Sequence, residues 1–282
     1  MLNYKNNLGL ILNFIGSIIH AFKRLPNTFS LAWVLAWRDF QGRYLGSKAG
    51  YFWAILSPLL YGVVFVILRD QLSKQGAEID TGGVHPIIFA FFGIMLYQVW
   101  YEALTNQLNH LRSASAFLRN IKIDPEIFAV SAFILSLLDL GVRVILLIIF
   151  MVIFSVPVGP LFYLAPITLM AIVFTGNAIG YILALPASFF SDIGKFIQSI
   201  SLGILLATPI FYSATNSTDS AFYWIQVFNP LATTLTLARG VVFGGELIFL
   251  NAALIWLLVL SVLSIFMLGV YRIACPLIIE RL

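Results

Sequence analysis

Two opposite charges lie inside one long apolar stretch of the sequence. Asp139 and Arg143 are four residues apart within the run Ile127–Phe154, so in a helix they share a face and can form an ion pair. An ionisable residue inside a membrane-spanning segment is by default a candidate functional residue. Two interpretations follow. The two residues form a structural pair at a contact between helices, or they contribute to a translocation path.

The other residue types that support catalysis are isolated along the chain. His20, His85 and His110 have no cysteine or second histidine at the spacing of a metal site. Cys275 is the only cysteine, which excludes an intrachain disulfide. No phosphate-binding G-x-x-x-x-G-K-[ST] loop occurs, and no G-x-S-x-G motif indicates a hydrolase. The sequence therefore predicts a chain that is not an enzyme and holds no metal or cofactor of its own.

The elements that position these residues are strongly apolar. The chain of 282 residues is 61% hydrophobic and 10% charged, with a mean hydropathy of +0.98, whereas soluble domains contain about a quarter charged residues. Crossing a bilayer takes roughly 20 apolar residues, and continuously apolar runs predict helices rather than barrel strands. The six predicted spans are Gly50–Leu68, Pro86–Leu104, Ile127–Phe154, Leu161–Phe189, Phe196–Tyr212 and Leu247–Tyr271.

The basic residues predict the orientation of these spans. Twelve of the 16 Lys and Arg residues fall in the N-terminal arm, the second and fourth connections and the C-terminus, and Arg69, Lys74 and Arg239 fall on the other side. Cytoplasmic segments are enriched in Lys and Arg, so both termini are predicted to be cytoplasmic. We expect one all-α membrane domain, with an arm at 1–48, six spans within 49–272 and a tail at 273–282.

The segment Leu31–Leu45 predicts a helix with two unlike faces. Its aromatic residues recur at intervals of four, three and four: Trp33, Trp37, Phe40 and Tyr44. Its charged residues fall broadly opposite: Arg38, Asp39 and Arg43. Such a helix lies in the membrane interface with its aromatic face in the acyl boundary. It either anchors the chain or positions a docking surface for a cytosolic partner.

Aromatic residues on and beyond two spans are candidates for a translocation path, because sugar rings pack their C–H faces on aromatic rings. The alternative is that each of them faces lipid or the core. The candidates are Tyr61, Phe65, Phe211, Tyr212 and Trp224.

The outer stretch Ala221–Gly245 is apolar enough for a seventh span, but Asn229-Pro230 and Gly240 interrupt it. Pro and Gly at these positions predict two short re-entrant or interfacial helices instead.

Three segments resemble the ABC-2 type permeases that export O-antigen, capsule and teichoic-acid polymers. The first is R-D-F-Q-G-R-Y at 38–44, which continues through Ser47, Gly50, Trp53 and Pro58-Leu59. The second is L-R-N-I-K-I-D-P-E-I-F at 118–128, similar to the cytoplasmic coupling segment of the family. The third is Asn229-Pro230-Leu231, followed by Arg239 and Gly240. The three segments occur in the right order among the six spans, and the resemblance covers nearly the whole chain.

The resemblance implies the membrane subunit of an exporter of lipid-linked polysaccharide in the bacterial cytoplasmic membrane. It implies a homodimer that pairs with two copies of an ABC ATPase, which bind ATP and Mg²⁺, and it implies no nucleic-acid partner. The alternatives are an ABC-2 exporter of a small lipid or drug and a self-contained membrane transferase.

The predicted contacts with the ATPase come from the charged helix face and the coupling segment. One departure from the family, Ile123-Asp124-Pro125 in place of an aromatic-proline-basic run, leaves the partner subtype open. The predicted contact residues are Arg38, Asp39, Arg43, Leu118, Arg119, Asn120, Lys122, Asp124 and Glu126.

Overall fold

The computed structural model describes Gly16 and residues 28–43, 52–74, 81, 83–120, 126–215 and 217–281. The backbone alone is described at 53–55, 57–58, 72–73, 112–120, 272–273 and 275–281. Over these residues the regular structure is helical, with no strand, which confirms the predicted all-α class.

Nine α-helices and one short 3-10 turn follow one another along the described chain. The turn, Phe162–Leu164, leads directly into α5. The helices are α1 (28–43), α2 (Phe52–Lys74), α3 (Pro86–Asn120), α4 (Glu126–Ile153), α5 (Ala165–Phe189), α6 (Asp192–Ala207), α7 (Ala221–Val227), α8 (Pro230–Phe243) and α9 (Leu250–Arg281).

Four helical stretches among the described residues are long and apolar enough to cross a membrane. They coincide with the second, third, fourth and sixth predicted spans, and they are Pro86–Leu111, Glu126–Ile153, Phe162–Phe189 and Leu250–Tyr271. Helices α2 and α6 occupy the other two predicted runs. The chain is therefore a multi-pass membrane protein.

Two helices continue beyond the predicted runs. Helix α3 continues 16 residues beyond Leu104, to Asn120, and α9 continues through the predicted tail to Arg281. Both extensions contain polar and charged residues. A search for apolar runs ends where such residues begin, although the helical hydrogen bonds continue past the apolar part.

Helix α3 is the centre of the bundle, and α5 is its most extensive neighbour. Gly176 and Gly180 of α5 form a small-x-x-x-small face, which lets two backbones approach closely. A Cβ atom at Gly176 would lie 2.5 Å from the carbonyl oxygen of Trp100, and one at Gly180 would lie 2.3 Å from that of Leu104. No side chain larger than hydrogen fits at either position without moving one of the helices.

The stretch Ala221–Gly245 forms two short helices, as predicted, but the second break lies elsewhere. Asn229 caps α8, its Oδ1 accepting hydrogen bonds from the amides of Leu231 and Ala232. Gly240, the predicted breaker, lies inside α8. The helix ends instead at Gly244, whose φ of +84° is one that residues with a Cβ rarely adopt.

We expect Gly180→Ala to lower the thermal midpoint of the detergent-solubilised protein by several degrees, because the added methyl group separates α3 from α5. Overpacking of this kind costs about 1–3 kcal/mol. Gly141→Ala in α4 is the matched control, since a Cβ there meets no atom within 4 Å. Equal midpoints for the two variants would contradict the close α3–α5 contact.

Candidate functional site: a buried charge cluster joining α1, α3 and α4

Helix α1 packs on α4 through a stripe of small and apolar side chains. Ala32, Ala36 and Phe40 are buried at intervals of four residues, and they form one cluster with Ile127 and Ile134 of α4. Residues four apart lie on one helix face. This face fixes α1 against the bundle and determines where the charged end of α1 lies.

The three described aromatic residues of α1 stack in a row but differ in exposure. Trp33 and Trp37 are exposed and stack on each other with ring centroids 6.3 Å apart. Phe40 stacks in turn on Trp37, with ring centroids 5.7 Å apart, although it is 5% exposed and also packs against α4. Whether these rings lie in the acyl boundary stays a prediction.

Five polar side chains meet beside the last turn of α1: Arg43, Glu102, Asn106, Asp139 and Arg143, here called the charge cluster. Arg43 donates from Nη1 to Oδ2 of Asp139 at 2.7 Å and from Nη2 to Oδ1 of Asn106 at 2.6 Å. Arg143 donates from Nη2 to Oε1 of Glu102 at 2.5 Å. Arg43 also lies 4.0 Å from Oε2 of Glu102. The cluster thus joins α1, α3 and α4.

Burial makes the loss of either partner in these contacts costly. The side chains of Asp139 and Arg143 are 1% and 5% exposed, whereas those of Arg43 and Glu102 are about one-third exposed. The two cations and two carboxylates balance, so the cluster is formally neutral. Breaking a buried ion pair by removing one partner costs about 3–5 kcal/mol, because it leaves an uncompensated charge.

The structure adds partners that the spacing of Asp139 and Arg143 does not indicate. The two residues lie on one face of α4, as predicted, and each makes an ion pair with a side chain from another helix. Glu102 is the acidic residue within Pro86–Leu104, and the rule that singled out Asp139 also applies to it. Whether the pair has a role in a translocation path stays a prediction.

A polar cavity of about 240 Å³ opens beside the charge cluster. Arg38 and Asp39 line it together with Asn109 and His110. Arg38 and Asp39 bind each other at 2.6 Å, and both are roughly half exposed, so this pair adds little to stability. Both side chains are accessible from outside the chain, as a docking surface requires.

The coupling segment is described only at its two ends. Leu118, Arg119 and Asn120 form the last turn of α3, where the backbone alone is described. Lys122 and Asp124 lie outside the described residues. Glu126 begins α4 and is 7% exposed. The role of this segment therefore stays a prediction.

The structure brings two of the five candidate path aromatics together. Phe65 of α2 is 3% exposed and stacks on Phe211, with ring centroids 5.4 Å apart. Tyr61, one turn before Phe65 in α2, is 52% exposed.

The other two aromatics lie on the segment after α6 and on α7. Tyr212 donates a hydrogen bond to the carbonyl of Leu206 and packs edge-on against Phe222. Trp224 is 49% exposed and stacks on Phe228. A path role for the five residues stays a prediction.

A second buried cation joins segments in another part of the bundle, and its contacts are here called the Arg239 clamp. Arg239 of α8 donates to the carbonyl oxygens of Pro209 at 2.6 Å, Ile210 at 3.2 Å and Phe89 at 3.3 Å. Its guanidinium carbon also lies 3.7 Å from the centroid of the Phe89 ring, a cation–π contact. A Cβ at Gly93 would come within 2.9 Å of Arg239 Nη2. The clamp joins α8, α3 and the segment after α6.

No group of three or more His, Cys, Asp or Glu residues in the described part of the chain could hold a metal ion. The charge cluster pairs its charges across α1, α3 and α4, and Arg239 donates to three carbonyl oxygens. Both sets of contacts join helices.

A model of the ABC-2 type transporter family matches residues 30–243. The chain belongs to the ABC-2 type transporter family. The matched region begins in α1 and ends at the last residue of α8, so it contains both the charge cluster and the Arg239 clamp.

Curated relatives resemble most of the chain. An O-antigen export system permease protein RfbA of Klebsiella pneumoniae is 25% identical over 225 residues, which is 78% of this chain and 82% of the relative. Another, from Myxococcus xanthus, is 22% identical over 216 residues, which is 76% of this chain and 80% of the relative.

We expect Asp139→Asn and Arg43→Met each to destabilise the protein by about 3–5 kcal/mol, because each leaves a charge without its partner. The double variant is expected to be more stable than the sum of the single effects implies. Thermal midpoints of the purified protein measure this coupling. Asp39→Asn, which disrupts the exposed pair with Arg38, is the control and should change stability by no more than about 0.5 kcal/mol. Additive effects of Asp139→Asn and Arg43→Met would contradict the pairing.

Proposed function

We propose that this chain is the membrane-spanning subunit of an ABC exporter that moves a lipid-linked polysaccharide across the bacterial cytoplasmic membrane. The observation that supports this most is the similarity, over more than three-quarters of the chain, to permeases named for O-antigen export. The ATP that drives transport is bound and hydrolysed, with Mg²⁺, by a separate ATPase subunit. Residues 1–282 form a single transmembrane domain.

In this proposal the charge cluster transmits movement of the ATPase to the membrane helices. The ATPase contacts the exposed Arg38–Asp39 pair on α1 and the segment Leu118–Glu126 between α3 and α4. Arg43 ties α1 to Asp139 on α4 and Asn106 on α3. A displacement of α1 is then shared with the two membrane helices that the segment connects. In this account Asp139 and Arg143 join helices and do not relay protons.

In this proposal α2 and α6 complete six spans. Helix α2 has 23 residues, which at 1.5 Å per residue gives about 34 Å, enough for a hydrocarbon core of about 30 Å. Helix α6 has 16 residues, or about 24 Å, and the segment that follows it, held by Arg239, supplies the remainder. With α7 and α8 as outer interfacial or re-entrant helices, both termini are cytoplasmic.

Six helices enclose too little space for a polymer, so we propose a homodimer with the path on its two-fold axis. Two copies of the ATPase complete the assembly. Tyr61 is our main candidate for the path, because its ring is accessible on α2. Phe65 and Phe211 support it from behind through their stacking contact.

The orientation is tested by labelling Lys74→Cys in a Cys275→Ser background. We expect a membrane-impermeant maleimide to label it in intact cells, because it lies at the end of α2 opposite the cytoplasmic arm. Lys195→Cys is the matched control, since Lys74 and Lys195 are 64% and 77% exposed, and it should react only after permeabilisation. The reverse pattern would invert the orientation.

The function is tested by reversing charges in the coupling segment. In cells that contain the ATPase, Arg119→Glu with Lys122→Glu should reduce co-purification of the ATPase and abolish surface polysaccharide without lowering the amount of protein in the membrane. Reversing two charges at a docking contact replaces attraction by repulsion. Lys195→Glu, outside the segment, is the control. Polysaccharide export that persists when this chain is deleted would reject the proposed function itself.

The path is tested at Tyr61. Tyr61→Leu should lower export roughly two- to thirteenfold, in line with the loss of one aromatic contact of about 0.5–1.5 kcal/mol, whereas Tyr61→Phe should have a mild effect. Tyr163→Leu removes an aromatic ring that is 71% exposed outside the proposed path, and it should export normally. Normal export by Tyr61→Leu at wild-type abundance would place this ring against lipid.

A further inference from the structure

One face of α3 becomes exposed at the middle of its membrane-spanning stretch. Every residue from Ile88 to Tyr97 is buried, so the first half of the stretch is enclosed on all sides. The exposure begins at Gln98, which lies at the middle of the 26 residues Pro86–Leu111. From there to Leu111 the side chains that are at least partly exposed form what we call the polar face of α3: Gln98, Tyr101, Glu102, Thr105, Asn106 and Asn109.

All six of these side chains carry a hydrogen-bonding group, and their spacing of three or four residues places them on one side of the helix. The apolar residues of the same stretch are buried: Val99, Trp100, Ala103, Leu104, Leu108 and Leu111. Helix α9 shows the opposite pattern, because its apolar stretch is mostly exposed and the exposed residues include Leu254, Leu258 and Val262. Lipid cannot hydrogen-bond amide or hydroxyl groups. Helix α9 therefore has a surface suited to lipid, whereas the polar face of α3 has one suited to water.

Neighbouring helices close the space above the polar face. Helix α2 crosses α3 near its first residue, since a Cβ at Gly62 would lie 3.7 Å from the carbonyl oxygen of Ile87. Phe65 of α2 stacks on Phe211, which follows α6. Directly before Gln98, the Tyr97 hydroxyl donates to the carbonyl of Ser201 in α6 at 2.7 Å. The first half of α3 is thus covered by α2 and α6.

The other end of the polar face opens into a cavity. Thr105, Asn106 and Asn109 line the polar cavity of about 240 Å³ that lies beside the charge cluster. From Gln98 to Asn109 the polar face is about 16 Å long, at 1.5 Å per residue. A continuous polar surface therefore runs from the middle of the membrane to the end of the spans at which α3 connects to α4.

The chemistry of this surface suits an uncharged ligand that is rich in hydroxyl groups. Glu102, the charged residue of the polar face, is already paired with Arg143 at 2.5 Å. Amide and hydroxyl side chains both donate and accept hydrogen bonds, as sugar hydroxyls do. Tyr101 stacks on Tyr97 with ring centroids 6.1 Å apart, and its partly exposed ring offers a surface for the C–H face of a sugar.

We propose that the polar face of α3 lines a water-filled vestibule that admits sugar units of the transported glycan as far as Gln98. The identity of the glycan, and the placement of the open end on the cytoplasmic side, rest on the proposed function. The vestibule ends at the middle of the membrane, where α2 and α6 close it.

The vestibule is tested by the reactivity of single cysteines in a Cys275→Ser background, with the full chain and its ATPase in inverted membrane vesicles. The probe is a negatively charged methanethiosulfonate. A thiol reacts as its thiolate, which forms in water and not in hydrocarbon. We expect Gln98→Cys and Thr105→Cys to react at least roughly tenfold faster than Leu258→Cys, a control near the middle of the α9 span that is 66% exposed.

Two results would overturn the vestibule. If Gln98→Cys reacted as slowly as Leu258→Cys, lipid or a second copy of the chain would cover the polar face, even if Thr105→Cys reacted. If Gln98→Cys reacted faster in right-side-out vesicles than in inverted ones, the open end would lie on the outer side.

The glycan is tested by protection of the same cysteine. Inverted vesicles from cells that make the polymer are compared with vesicles from cells that lack its glycosyltransferases. We expect polymer to slow the reaction of Gln98→Cys roughly threefold, as mass action gives when about two-thirds of the sites are occupied. Lys195→Cys, 77% exposed and outside the vestibule, should react equally in both.

Equal rates for Gln98→Cys in the two preparations would show that the vestibule does not admit the glycan, and the proposal would fail. The proposed function has a separate test, because it fails if export persists when the chain is deleted. Cells that lose export on deletion of the chain but show no protection of Gln98→Cys would retain the proposed function and reject this vestibule as its path.

Discussion

A charge inside an apolar bundle has to meet its counter-charge or its hydrogen-bond acceptors within the protein, because lipid supplies neither. Arg43, Asp139, Arg143 and Glu102 meet this requirement as two ion pairs. Arg239 meets it with three carbonyl oxygens. Both solutions use α3, which provides Glu102 and Asn106 near its middle and the Phe89 carbonyl in its first turn. The position of each neighbouring helix is therefore fixed relative to α3.

The packing around α3 also depends on contacts that lipid cannot supply. Lipid gives helices no hydrophobic reason to associate, so close van der Waals contact has to supply the attraction. Gly176 and Gly180 provide it by bringing α5 against the backbone of α3. Because α3 and α5 are in direct backbone contact, the polar groups that they present on either side are held at fixed separations.

Element positions could be predicted where local chemistry determines them. Helix α4 begins and ends within one residue of the predicted run, and Asn229-Pro230 marks the start of α8. Gly240 misled the prediction because a helix packed on its neighbours tolerates glycine. The pairing of Arg43 with Asp139, 96 residues apart, could not be predicted, since apolar runs do not specify which helices are neighbours. Glu102 could have been found by the rule that found Asp139.

The distribution of these contacts separates the helices into two groups. Ion pairs, close glycine contacts and apolar packing join α1, α3, α4 and α5. Separating the two partners of an ion pair in apolar surroundings costs far more than moving both partners together. These helices are therefore suited to move as one body. Helix α6, in contrast, contacts its neighbours sparsely, and of its side chains only Ile197 is buried. Force applied to α1 therefore reaches the centre of the bundle directly, whereas α6 is joined to α3 by a hydrogen bond from the Tyr97 hydroxyl to the Ser201 carbonyl at 2.7 Å and by the Arg239 contacts at its end.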